Sequence, residues 1–173
     1  MFLILPMNNF TIIKDYLPKD TLEHIKYEIK CAKFPWFYSC VTYPHEPGFM
    51  FTHRFYDIEG GIKSNRFSDL ILPILGNIKY KVLRRIKANC YTRGQDHVKH
   101  DYHIDDKVKH KVALFTINTN NGYTEFENGE RIPSVENTLA LFDGSVKHRS
   151  VTQTDENLRI NININYDEEI WKL

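Results

Sequence analysis

The chain has 173 residues, 42% of them hydrophobic and 13% aromatic, which suits one globular domain over 1–173 with a core of ordinary size. Lys+Arg 23 against Asp+Glu 22 gives a formal net charge of +1, so no global field steers the protein to nucleic acid or to an acidic membrane surface. Apolar stretches such as Leu70-Ile71-Leu72-Pro73-Ile74-Leu75 fall far short of a bilayer span, and the N-terminus lacks the basic region and cleavage site of a secretory signal, so a cytoplasmic protein is expected. Cys31, Cys40 and Cys90 are widely spaced, with no C-x-x-C pair, and read as reduced thiols.

Residues 10–16 are rich in β-branched and aromatic side chains and predict a short strand ending at Leu17-Pro18. Leu22, Ile25, Ile29 and Ala32 then recur at helical spacing up to Lys33, with Asp20 and Glu23 as a loose capping pattern, so a helix packed outside a sheet is expected. Pro35, Pro44, Pro47 and Gly48 among many aromatics predict an ordered loop with short strands over 34–56. There Trp36, Phe37, Tyr38 and Tyr56 either line a substrate mouth or fill core. A second helix is expected over 67–75, stopped by Gly76-Asn77, with Pro73 counting against an unbroken run.

From Tyr80 the pattern changes to strand-like runs at 80–92, 102–105, 111–118, 123–127, 138–142, 146–153 and 158–165, separated by Gly- and Asn-rich turns. Helical patterning confined to the N-terminal part, ahead of a β-rich remainder, predicts a mainly β fold with supporting helices. Its core is expected to be a double-stranded β-helix of the jelly-roll, cupin-like kind, with helical support over about 1–78 and the β-rich core over about 79–167.

Among eight His, the unit His103-Ile104-Asp105 carries the sharpest chemistry. In a strand, residues i and i+2 share a face, so His103 and Asp105 can offer a nitrogen and an oxygen to one ion. Asp101 satisfies the same parity with His103, and spacing does not separate the two. His148, after the run Leu139-Ala140-Leu141-Phe142 and a turn at Asp143-Gly144, is the candidate third ligand. Two His and one carboxylate leave open positions suited to ferrous iron with a cosubstrate and dioxygen. His97, His100 and His103 would instead align as a zinc face on a helix, but Gly94 and the β-rich surroundings disfavour one there.

In Arg159-Ile160-Asn161-Ile162-Asn163-Ile164-Asn165 strict alternation places Arg159 and three Asn on one face and three Ile on the other. With the Ile face buried, the Arg face either lines a polar cavity or forms a solvated outer strand. Within a cavity, the guanidinium fork of Arg159 matches a carboxylate. The basic stretch Lys79, Lys81, Arg84, Arg85 and Lys87 reads as a solvated strand face or, less simply, as a phosphate contact.

In order, Asn89-Cys90-Tyr91, Gly94-Gln95, His103-x-Asp105, Gly122-Tyr123-Thr124-Glu125-Phe126, Leu141-Phe142 ahead of His148, and Arg159 resemble the iron(II)- and 2-oxoglutarate-dependent oxygenases, specifically their prolyl 4-hydroxylase-like branch. The resemblance covers residues 80–166 best. It implies that His103, Asp105 and His148 hold Fe(II), favouring Asp105 over Asp101, and that Arg159 rather than Arg149 pairs with the distal carboxylate of 2-oxoglutarate. A hydroxyl such as Tyr91 would assist, with Asn89, Asn161 and Asn163 lining the cosubstrate. It further implies a dioxygenase that uses O2 to hydroxylate a carbon, peptidyl proline being favoured, with release of succinate and CO2. Asn120-Asn121-Gly122-Tyr123-Thr124 and Val135-Glu136-Asn137 resemble stretches in marine bacteriophage sequences, which implies a phage origin and a host-cytoplasmic setting.

Two departures stand out. The Tyr-to-His spacing of prolyl 4-hydroxylases would land near His100, which no Asp follows at +2, so a short insertion separates Tyr91 from His103. Those enzymes also often carry Lys where this chain has Arg159, which weakens the inference about substrate. Two rival readings remain, a noncatalytic metal-binding jelly-roll module, for example a phage structural protein, and a zinc-dependent hydrolase using the same three ligands. The first has no need of Arg159, and the second lacks a distinct general base. The primary substrate is expected to be a peptide or a small molecule.

Overall fold

A computed structural model describes residues 4–6, 10–40 and 48–168; the Pro44 and Pro47 part of the expected loop lies outside them. Its twelve described strands are β1 (Ile4–Pro6), β2 (Phe10–Ile13), β3 (Phe37–Cys40), β4 (Phe49–Asp57), β5 (Gly61–Ile62), β6 (Tyr80–Thr92), β7 (Lys111–Thr116), β8 (Tyr123–Phe126), β9 (Arg131–Pro133), β10 (Thr138–Asp143), β11 (His148–Val151) and β12 (Leu158–Glu168). All pair antiparallel. The major sheet runs β1-β2-β10-β7-β12-β6-β4-β3, with β5 on β4, and the minor sheet runs β11-β8-β9.

Period-two alternation sorts each central strand between two buried environments. On β12, Ile160, Ile162 and Ile164 face away from the minor sheet, joined by Ile86, Ala88 and Cys90 of β6 and by Ala113 and Phe115 of β7. Against this face pack helix α1 (Lys19–Lys30), through Leu22, Ile25 and Ile29, and a helical segment contributing Leu70, Ile71 and Ile74. Burying each such aliphatic is worth about 1.5–3 kcal/mol. The opposite faces of β7 and β10 supply Val112, Leu114, Ala140 and Phe142, which meet Phe126 and Ile132 of the minor sheet in a second core. Phe10 stacks on Phe126 with ring centroids 5.5 Å apart. The two opposed sheets make a jelly roll, as the β-rich pattern predicted.

Local departures have physical causes. Helix α1 ends at Lys30, with Ala32 exposed, and no side chain caps its N-terminus; Glu23 instead pairs with Lys26 at 2.9 Å. The expected helix over 67–75 is a π-helical turn, Phe67–Ile71, followed by α2 (Leu72–Leu75), with Pro73 in its first turn. The N-terminal part is more than helical support, because β1 to β5 all join the major sheet. The expected strand over 102–105 does not form; His103 makes only an isolated bridge to His148.

Tyr16 is buried beside Phe115 and donates a hydrogen bond to the Ile74 carbonyl at 2.6 Å. Burial pushes its phenol up to about 12 from 10.0. The folded state therefore holds a proton that the unfolded chain releases, so stability should be level below about pH 10 and decline from there to about pH 12. Urea titrations across that range should show a shallower decline for Tyr16→Phe, which also loses about 1 kcal/mol at neutral pH.

Candidate metal centre

The segment that carries the first two candidate ligands is irregular and is fixed along the edge of β11. Lys99 bridges to Val151 and His103 to His148; the His103 and His148 backbones exchange hydrogen bonds of 2.9 and 3.0 Å. Tyr102 beside them lies under the Arg149 guanidinium, 4.2 Å from its ring centre. Arg149 in turn meets Glu125 at 2.5 Å, as does Arg131 at 2.9 Å. These contacts tie residues 99–103 to the minor sheet.

His103, Asp105 and His148 converge, each offering one ligand atom, all within 4.8 Å of one another. His148 is buried at the start of β11, and its Nδ1 lies 3.1 Å from the Val146 carbonyl. His103 Nδ1 lies 3.2 Å from the Asp101 carbonyl. Both contacts orient the rings and leave the Nε2 atoms for a metal. Asp105 leaves the β11 edge and reaches β12, where its Oδ2 accepts from Asn163 at 2.8 Å and Asn165 at 2.9 Å. Its Oδ1 lies 3.0 Å from Arg85 and 3.8 Å from His103 Nε2. Burial alone would raise the Asp105 carboxyl, but Arg85, His148 and the two amides outweigh it and hold it well below the usual carboxylate range. Burial lowers the His148 pKa while Asp105 opposes that shift. A neutral imidazole and an ionised carboxylate are the forms that bind a divalent cation. Two imidazoles and one carboxylate on one side leave the other positions open, which fits Fe(II).

The cavity continues from these three residues to Arg159, lined by Tyr91, Asn89, Asn161, Thr124 and Ser150, with Leu114, Phe142 and Met50 as apolar wall. Arg159 is buried; its Nε donates to Ser134 Oγ at 2.8 Å and its Nη2 to Thr124 Oγ1 at 3.2 Å. Its Cζ lies 5.1 Å from the centre of the Tyr91 ring. Its Nη1 is buried without a hydrogen-bond partner, and no carboxylate pairs with the guanidinium among the described residues. Burial lowers the Arg159 pKa and raises that of Tyr91. A buried cation held by neutral hydroxyls in a cavity that also holds three potential metal ligands has the chemistry to receive an anionic ligand. Asn161 accepts from Asn89 Nδ2 at 2.9 Å beside this path. The donor set and the orphaned Nη1 together fit a metal and a carboxylate cosubstrate.

Gly122 makes room for this arrangement. A Cβ there would sit 2.7 Å from Arg159 Cδ and 2.9 Å from both Asn120 Oδ1 and the Val151 carbonyl. Gly122→Ala should therefore displace Arg159 and weaken any carboxylate ligand that its guanidinium holds by up to about 100-fold, the scale of a 1 Å misplacement. Isothermal titration should show no such change for Gly76→Ala, whose added Cβ comes no closer than 3.6 Å to a neighbour.

Other candidates fare differently. Asp101 is exposed and lies outside the ligand group. His97 contacts the Thr152 carbonyl and His100 stacks near Tyr91, so the three-His zinc face does not form. Trp36 packs on Phe34 with centroids 4.9 Å apart, Phe37 and Tyr38 are exposed, and none of the aromatic set Trp36, Phe37, Tyr38 and Tyr56 lines the metal cavity. The basic stretch of β6 is not uniformly solvated, because Arg85 pairs with Asp105 and Lys87 lines the cavity. Strand parity with Asn89 and Tyr91 was the signal that could have placed both.

No protein-family model matches the sequence, and comparison with curated protein sequences finds no relative. Solved structures do match. A Burkholderia pseudomallei oxidoreductase of the 2OG-Fe(II) oxygenase family superposes with a TM-score of 0.70 at 13% identity, over 93% of this chain and 86% of that one. A Pseudomonas putida prolyl-4-hydroxylase gives 0.59 at 13% identity, over 93% of each chain. HygX from Streptomyces hygroscopicus, solved with nickel, 2-oxoglutarate and hygromycin B, gives 0.56 at 11% identity, over 95% of this chain and 84% of that one. At this identity the likeness concerns architecture: the chain has the jelly-roll fold of 2OG-Fe(II) oxygenases.

Proposed function

We propose that this chain is an Fe(II)- and 2-oxoglutarate-dependent dioxygenase that hydroxylates a carbon of its substrate, with peptidyl proline favoured, and releases succinate and CO2. It works as one unit over 1–173, with the metal-binding core in about 79–167. The observation that carries this reading is Arg159, a buried guanidinium with a free Nη1 in the same cavity as His103, Asp105 and His148. A metal-binding module needs no such cation, and a hydrolase needs a general base beside the metal's open position, where the cavity lining offers, among the described residues, no His or carboxylate beyond the three ligands themselves. The solved prolyl-4-hydroxylase of the same fold supports the choice of proline.

His103, Asp105 and His148 would hold the iron, which supplies the oxidative chemistry with O2 and the cosubstrate's keto acid end. Arg159 receives the distal carboxylate, with Ser134 and Thr124 accepting from its Nε and Nη2 and so fixing the guanidinium, and Tyr91 beside it. Asn161 and Asn89 line the stretch between Arg159 and the metal ligands. Asn163 and Asn165 keep Asp105 turned toward the ion, and Leu114 and Phe142 exclude water from one wall. Free cysteines at Cys31, Cys40 and Cys90 suit the reducing cytoplasm in which Fe(II) persists.

Anaerobic addition of Fe(II) and then 2-oxoglutarate should produce a visible charge-transfer band, and admission of air should release succinate. Absence of both the band and 2-oxoglutarate affinity would exclude the dioxygenase reading in favour of a noncatalytic metal site.

A further inference from the structure

We propose that the primary substrate carries an anionic group, a carboxylate or a phosphate, held beside the metal by Lys87 and Arg54. This rests on the dioxygenase reading. The β-ladders place Asn163 of β12, Lys87 of β6 and Arg54 of β4 in one row across the major sheet. At one end of the row Asn163 donates to Asp105, at the level of the metal. At the other end Arg54 is about half exposed, its side chain at 52%. Lys87 lies between them and lines the metal cavity. The row thus leads from the metal to solvent along a track of cations.

Lys87 cannot be the distal anchor of the cosubstrate. That role fits Arg159, which pairs in register with Tyr91, four residues along β6 and about 14 Å away at ~3.4 Å per residue. The cosubstrate would extend from Arg159 toward the metal along Asn161 and Asn89, leaving Lys87, the register partner of Asn163, at the level of the metal rather than beside the distal carboxylate. The neighbouring charges do not satisfy it either. Arg85 is taken by Asp105 at 3.0 Å, Asp106 faces Arg84 at 3.5 Å, and Asp57 shares Arg54 at 3.8 Å with Lys63 at 3.7 Å. Lys87 has no salt bridge or hydrogen bond among the described residues, although Asp105 favours its charge from a distance. Burial and the nearby arginines pull its ammonium down to about 8, the sign of a cation short of counter-charge. With a divalent metal and a dicarboxylate in place, the cavity would keep a positive surplus that an anionic substrate group neutralises.

The test uses the full chain loaded with Mn(II) and 2-oxoglutarate, with inorganic phosphate and 13C-acetate as separate probes read by paramagnetic relaxation of 31P and 13C. Saturable broadening is expected for the wild type, and the stronger of the two probes identifies a phosphoryl or a carboxylate substrate. Lys87→Met and Arg54→Met should each weaken the probe by about tenfold to a hundredfold, the range for a hydrogen bond to a charged group. Lys87→Arg should retain it, and 2-oxoglutarate affinity should hold in all three. Unchanged probe affinity in Lys87→Met overturns the proposal, and so does a loss of 2-oxoglutarate affinity there, which would make Lys87 a cosubstrate contact. If the wild type takes up no 2-oxoglutarate, the dioxygenase reading fails by itself. Probe binding with Mn(II) alone then still decides whether Lys87 and Arg54 hold an anion.

Discussion

Replacing Arg159 with Ala should weaken 2-oxoglutarate binding by about 30-fold to several thousand-fold, the equivalent of the 2–5 kcal/mol that truncating one partner of a buried charge pair costs. Metal affinity should be unchanged, because Arg159 contacts Ser134, Thr124 and Tyr91 rather than any of the three converging ligands. Titration of the charge-transfer band separates the two effects, since the band's dependence on 2-oxoglutarate shifts while its dependence on Fe(II) does not. Arg159→Lys should recover part of the affinity, keeping the charge and losing the fork. Equal 2-oxoglutarate affinity in Arg159→Ala and the wild type would remove this residue from the site. The metal-free variant should lose less stability than truncation of so large a buried side chain ordinarily costs. It removes a buried guanidinium that has no carboxylate partner among the described residues.

Asp105→Ala should lower Fe(II) affinity by more than about 100-fold, beyond the 10–100-fold that loss of a supporting residue costs. It also strips Arg85 of its carboxylate and leaves the Asn163 and Asn165 amides without an acceptor. Metal-free stability should therefore fall by about 3–5 kcal/mol, as when one member of a buried ion pair is removed. Asp101→Ala is the decisive comparison. Asp101 stands two residues before His103 as Asp105 stands two after, yet it is exposed and outside the cluster, so both quantities should match the wild type. Mn(II) titration by electron paramagnetic resonance and urea denaturation measure the pair. Equal metal loss in the two variants would show that the ligand is misassigned.

Much of this arrangement was legible in the sequence wherever a side-chain period ran through a regular strand. The Arg-Asn face and the Ile face of 159–165 separate as alternation demands, with Ile160, Ile162 and Ile164 fully buried on the helix side. The same parity on β6 would have moved Lys87 from a solvated face into the cavity with Asn89 and Tyr91, and Arg85 beside Asp105, since Ile86, Ala88 and Cys90 occupy the core between them. Charge along that stretch hid the signal, because a run of Lys and Arg is more often a surface. Parity misled at 102–105 for the opposite reason. No strand forms there, and His103 and Asp105 come together through an irregular turn rather than through a shared pleat.

The sequence by itself determined which residues are capable of the chemistry and on which face of β12 they lie, because alternation is a local property of an extended chain. Tertiary structure brings Asp105 rather than Asp101 to the two imidazoles, through amides supplied from 58 to 60 residues downstream on β12 and a guanidinium from Arg85 on β6. It also brings His148 beside His103, by a bridge across 45 residues, and leaves Arg159 lining the same cavity with its Nη1 without a hydrogen-bond partner among the described residues. Ligand selection depends on which polar groups become neighbours when two sheets close on each other, and local spacing does not encode that closure.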